Sequence, residues 1–120
     1  MENIEETLAN LINNVPGATI AALVGMDGIG VQMALGADWQ EADQDVIEVE
    51  LAALAEAVQK TAQRFTAGQN SPEFFLGTAR ADFLGAMVDL SYFLVLGLAP
   101  NSDLERAGEA LGDACLALAG

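Results

Sequence analysis

Residues 16–34 read PGATIAALVGMDGIGVQMA, and this stretch decides the fold. Asp27-Gly28 between two apolar runs is a hairpin signature, because a type I′ turn needs positive φ at both central residues. The run before the turn is apolar on both alternating faces: Ala18, Ile20, Ala22, Val24 and Met26 on one, Ala21 and Leu23 on the other. A strand buried on both sides needs layers above and below it. The stretch therefore predicts a sheet sandwiched between helices.

The flanking elements follow from periodicity. Ile4, Leu8, Leu11, Ile12 and Val15 share one helical face, so a first helix is expected over 4–14, opened by Asn3 with Glu6 and ended by Pro16-Gly17. A second strand is expected near 29–35. A long second helix is expected over 39–66, with Asp38 as its cap and Gly68 beyond its end. Its acids Glu41, Asp43 and Asp45 lie near the positive end and Lys60 and Arg64 near the negative end, as the macrodipole favours. Its apolar stripe is Ile47, Leu51, Leu54, Val58, Ala62 and Phe65. Strands are expected over 73–78, 82–88 and 90–98, with turns at Arg80-Ala81 and Asp89-Leu90. A third helix is expected over 103–118, capped by Ser102 with Glu105, with Leu104, Leu111, Cys115 and Leu118 as its stripe. The expected order is α-β-β-α-β-β-β-α, an α+β chain with no internal repeat.

The length, 120 residues, fits one domain over 1–120. A domain of this size buries roughly 65% of its unfolded surface, enough for one core. Mean hydropathy is +0.34, yet no apolar run reaches the ~20 residues that a membrane helix needs. The acidic start, with Glu2, Glu5 and Glu6, does not read as a signal peptide. Cys115 is the single cysteine, which fits a reducing cytoplasm. Net charge is −14, and Lys60, Arg64, Arg80 and Arg106 are the only cations. That balance argues against nucleic acid, whose affinity rests on Lys and Arg at phosphates, and against anionic membranes. It provides solubility, or steering toward a basic partner.

Catalytic chemistry finds little footing. With no histidine, the usual general base and a common metal ligand are missing. One cysteine builds no structural zinc site, and no phosphate-binding glycine-lysine loop exists. Gly25, Gly28 and Gly30 lie across a hairpin and form no dinucleotide fingerprint. Asp38, Glu41, Asp43 and Asp45 lack EF-hand spacing and read as cap and solvated face. Cys115 on an apolar stripe reads as an inert small hydrophobe. No catalytic residue, cofactor or metal is expected.

The element order, with Val15-Pro16-Gly17-Ala18, Met26-Asp27-Gly28, the Ala-rich second helix after Ala37-Asp38, and Tyr92-Phe93-Leu94-Val95-Leu96 leading into Asn101-Ser102 and Arg106, resembles the roadblock (dynein light-chain roadblock-type) family. The likeness covers nearly the whole chain, and its motifs are signatures of fold. Many bacterial members carry a glycine soon after the Asn before the last helix. Here the run is Asn101-Ser102-Asp103-Leu104, so that loop is expected to differ. The resemblance implies an α/β/α sandwich: a five-stranded antiparallel sheet of order 2-1-5-4-3, helices 1 and 3 on one face, helix 2 on the other. It implies a homodimer through helix 2 and the edge of strand 3, and a non-catalytic role beside a small Ras-like GTPase. A structural adaptor indifferent to nucleotide, or a small-ligand sensor, is the alternative.

The residues on which such contacts would fall can be named. On helix 2, Val46, Ala53 and Ala57 flank the main stripe, with Glu50, Lys60 and Arg64 beside them. Small residues permit close helix approach, although alanine is also simply a good helix former. Two antiparallel copies crossing near Ala57 would bring Glu50 toward Lys60 or Arg64. Phe74 and Leu76 lie on strand 3, which either pairs at an open edge or is internal with its Phe side chains in the core. Trp39 either covers the core or anchors a partner. With Glu41, Asp43 and Asp45 it is the candidate GTPase contact.

Overall fold

The structure, a computed structural model, describes residues 3–25, 30–39, 41–66, 73–89 and 91–119. The Asp27-Gly28 turn, Gly68 and Leu90 lie outside these residues. The elements are α1 (Ile4–Asn14), β1 (Ala18–Gly25), β2 (Gly30–Leu35), a 3-10 turn (Ala37–Trp39), α2 (Gln44–Thr66), β3 (Glu73–Gly77), β4 (Asp82–Met87), β5 (Tyr92–Leu98) and α3 (Leu104–Ala119). The five strands form one antiparallel sheet in the order β2-β1-β5-β4-β3, as expected.

β1 is the key to the layering. Its Ala21 and Leu23 join Leu94, Leu96 and Leu98 of β5 beneath α1 and α3, around Leu8, Leu11, Ala107, Leu111 and Leu118. Its Ile20, Ala22 and Val24 join Phe93 and Val95 beneath α2, around Leu51, Ala52 and Ala55. All six residues from Ile20 to Gly25 are buried, so the two-faced apolar pattern of residues 18–24 is that of a strand with helices on both sides.

Several local expectations are corrected. α2 begins at Gln44 and not at residue 39, because the chain first makes the 3-10 turn, so Asp38 is not its cap. Asp43 is: its Oδ1 accepts from the backbone N–H of Asp45 (3.0 Å) and Val46 (3.4 Å). α3 is capped by Asp103, whose Oδ1 accepts from the Arg106 N–H at 3.1 Å. Ser102 instead donates its hydroxyl to the Ala99 carbonyl at 2.6 Å. Phe65 is not in the core: it is 84% exposed at the end of α2, and Ala52 and Ala55 fill the buried stripe instead. Leu104 is also exposed. The expected start of β5 at residue 90 moves to Tyr92, because the Asp89 carboxylate accepts from the N–H groups of Ser91 and Tyr92 and holds a turn there.

The loop before α3 is closed by two special backbone positions. Asn101 has φ 68°, a left-handed conformation that Asn tolerates better than most residues. Gly17 has φ 84°, and the Ser102 hydroxyl stands where a Cβ on residue 17 would be. The loop thus locks onto the start of β1, and the Ala99 N–H donates to the Gly17 carbonyl at 2.8 Å.

Gly85 does the corresponding work for the edge strand. It pairs with Phe74 in the β3–β4 register, and the Phe74 ring lies in the space its Cβ would fill. From that seat Phe74 meets Phe93 edge to face, centroids 6.1 Å apart. This contact ties β3 to the core. Gly85→Ala should unseat Phe74 and lower stability by roughly 1–3 kcal/mol, the usual range for forcing atoms into a packed site. A urea melt with an unchanged midpoint would refute this packing.

Candidate functional site

The face of α2 turned away from the sheet is the largest candidate. Val46, Glu50, Ala53, Ala57, Lys60 and Arg64 are all exposed on it. Their spacing is 4, 3, 4, 3, 4, the heptad spacing that keeps one seam facing a partner helix. The opposite stripe, Leu51, Ala52 and Ala55, is buried on the sheet. Val46 is 56% and neighbouring Val49 66% exposed, so the seam carries apolar surface that the chain itself does not cover. Lys60 is tied within its own helix to Glu56, Nζ to Oε1 2.9 Å. Sequence reasoning picked out these exposed flank residues but not Val49, since periodicity ranks it below the stripe that packs on the sheet.

The two sheet edges differ in chemistry. At the β2 edge, Gln32 is flanked by Glu5 of α1 and by Gln44 and Glu48 of α2. Polar and charged flanks of that kind discourage strand pairing. β3 is the other edge strand, so the internal reading is corrected. Its Phe74 is half-buried against the α2-side core, whereas Phe75 and Leu76 are 55% and 41% exposed. β3 is therefore an apolar edge.

Trp39 takes the core-covering role. It packs against the α2-side core and is half-buried. Over its exposed side lies the Arg80 guanidinium, Cζ 4.4 Å from the ring centroid, within cation–π range. Arg80 sits on the β3–β4 turn, where the Thr78 hydroxyl donates to the Ala81 carbonyl (2.6 Å) and accepts from the Ala81 N–H (3.0 Å). No local sequence signal joins residues so far apart, and this pair was missed. Glu41, Asp43 and Asp45 are exposed beside Trp39, with Asp43 engaged as the α2 cap.

No group of three or more carboxylate or cysteine side chains is placed to hold a metal ion among the described residues. No helix among them is long and apolar enough to cross a membrane. What the described surface offers is an exposed helical face, an apolar strand edge and an acidic surround.

No protein-family model matches the chain, and no curated protein matches it in sequence. Solved structures do match in fold. MglC from Myxococcus xanthus superposes with a TM-score of 0.69 at 24% identity, covering 96% of this chain and 95% of that one. A Roadblock/LC7 domain from Streptomyces avermitilis gives 0.79 at 17% identity, covering 98% and 95%. Myxococcus xanthus MglB gives 0.79 at 19% identity, covering 98% and 95%. The chain has the roadblock fold, and its architecture is similar to that of MglB.

Cys115 is the one thiol, and its surroundings decide its reactivity. It is buried under α3, its Sγ 4.0 Å from the Ala86 carbonyl. Burial pushes its pKa from 9.0 up to about 11, and the Glu73 carboxylate adds to the shift. The folded chain therefore favours the neutral thiol: this contribution to stability is complete below pH 9 and is lost as pH rises through about 11. At pH 8 iodoacetamide should label Cys115 about a hundredfold more slowly in the folded chain than in urea, following the thiolate fraction. Equal rates would mean that the thiol is exposed.

Proposed function

We propose that the chain is a non-catalytic, homodimeric member of the roadblock family, similar to the bacterial protein MglB, that binds and regulates a small Ras-like GTPase in the cytoplasm. The observation that carries the dimer is the symmetry of the α2 seam. An antiparallel pairing whose axis crosses the seam midway between Ala53 and Ala57 matches Val46 with Arg64, Glu50 with Lys60 and Ala53 with Ala57 of the second copy. A two-fold axis requires such reciprocal matching, each residue meeting a partner that it meets again on the other side. The small alanines permit close approach at the centre, and opposite charges meet on either side of it. Two of the four cations in a chain of net charge −14 lie on this seam, where they offset the repulsion between copies.

The apolar β3 edge supports the same pairing. Joined to its symmetry mate, β3 would bury Phe75 and Leu76 and satisfy edge backbone groups that are otherwise open to solvent. Two α2 helices side by side would then form one surface, with a Trp39–Arg80 pair and acidic residues at both ends. The GTPase reading rests on the roadblock resemblance and on the likeness to MglB and MglC. Regulation without catalysis requires different affinities for the two nucleotide states of the partner.

Two outcomes follow. Ala57→Glu places like charges near the two-fold and should convert a species of about twice the 12.5 kDa chain mass into monomer, read by light scattering. An unchanged mass would eliminate the seam. The purified chain should capture a small GTPase from native lysate in the presence of GDP or of a non-hydrolysable GTP analogue, but not both. Equal capture in both would favour an adaptor indifferent to nucleotide.

A further inference from the structure

The outward face of α3, on the side of the sheet away from α2, presents a second apolar groove. Leu104, Gly108, Gly112 and Leu116 succeed one another at i+4, which on an ordinary helix forms a raised ridge. Here the middle of the ridge is missing, and a leucine stands at each end, with Leu116 75% exposed. Beside it, Gly108 and Gly112 share a groove with Leu84 and Glu73 of the neighbouring strands.

The fold does not explain the two glycines. A Cβ at Gly108 or Gly112 would meet nothing within 4 Å. Glycine in a helix interior is disfavoured relative to alanine, so the chain gives up stability at both positions without gaining internal space. The space they open is outside the molecule. Glu105, Glu109 and Asp113 are exposed on the same helix, and Glu73 borders the groove. A second copy would bring the same acids against these, so the charge selects a basic occupant.

We propose that this groove docks a basic amphipathic helix of a partner protein, its apolar ridge lying over Gly108 and Gly112 between Leu104 and Leu116, and its lysines or arginines meeting the acidic rim. This surface lies across the sheet from the α2 seam, so the proposal stands whether or not the α2 reading does.

The test uses a labelled 20-residue helical peptide of Leu, Ala and Lys with one apolar stripe, and a second peptide of the same composition with the stripe scrambled. Fluorescence anisotropy is read at physiological salt, where pure charge attraction is screened. The striped peptide should bind at least tenfold more tightly than the scrambled one. The double variant Gly108→Gln, Gly112→Gln should melt several degrees higher, because Gln is the better helix former, yet bind at least tenfold more weakly. A merely structural role for the glycines would not separate the two readouts in this way. Gln32→Ser, exposed on the far β2 edge, should bind the peptide as the wild type does. Equal binding of both peptides, no binding of the striped one, undiminished binding by the glutamine variant, or loss of binding in Gln32→Ser would each overturn the proposal.

Discussion

The pairing of β1 with β5 is the constraint on which the rest depends. It joins Gly25 to Tyr92 at one end and Ala18 to Leu98 at the other, bringing the first and last strands together at the centre of the sheet. Both strands are then buried on two faces, which requires every helix as cover. Loop-closure entropy opposes so distant a contact, so what rewards it is large: an apolar layer above and another below. In the observed order β2 and β3 are the edges, and they and the outer faces of the helices remain to meet other molecules.

Those remaining surfaces differ in a way that fits separate partners. The α2 seam mixes alanines with both signs of charge and is self-complementary under a two-fold. The α3 face carries acids and an apolar trench, and is not. The β2 edge is guarded by Glu5 and Glu48, whereas β3 offers Phe75 and Leu76. In the proposed dimer α2 and β3 act together, leaving α3 open. The acidic field around all of them favours approach by basic partners.

The layered fold was legible because its signals are repeated. The strand 18–25 has a two-faced pattern and α1 a clear stripe, whereas the sheet order was implied by the resemblance to the roadblock family and not by spacing. Helix starts were harder to read. Asp38 and Ser102 are as good caps by type as Asp43 and Asp103, and the 3-10 turn and the Ser102–Ala99 bond decide between them. Phe65 follows the helical period, yet at the end of α2 it extends beyond the sheet that could cover it. The Trp39–Arg80 stack depends on a turn that tertiary structure brings near, and no window of sequence contains it. Seam residues on α2 were legible as a flank of small and charged side chains, but their status as exposed surface needed the packing of Leu51, Ala52 and Ala55 against the sheet.

The antiparallel seam is the central claim, and spin-label distances test it most directly. With Cys115 replaced by Ser and single labels introduced in turn, each label reports the distance to its own copy in the dimer. A two-fold midway between Ala53 and Ala57, with 1.5 Å rise per residue and helices about 9 Å apart, predicts about 28 Å for labels at either Val46 or Arg64, and about 17 Å at either Glu50 or Lys60. The equality within each pair is the signature. Similar short distances at all four positions would mean a parallel pairing, and no dipolar coupling at any of them would mean that α2 does not join two copies; either result contradicts the account.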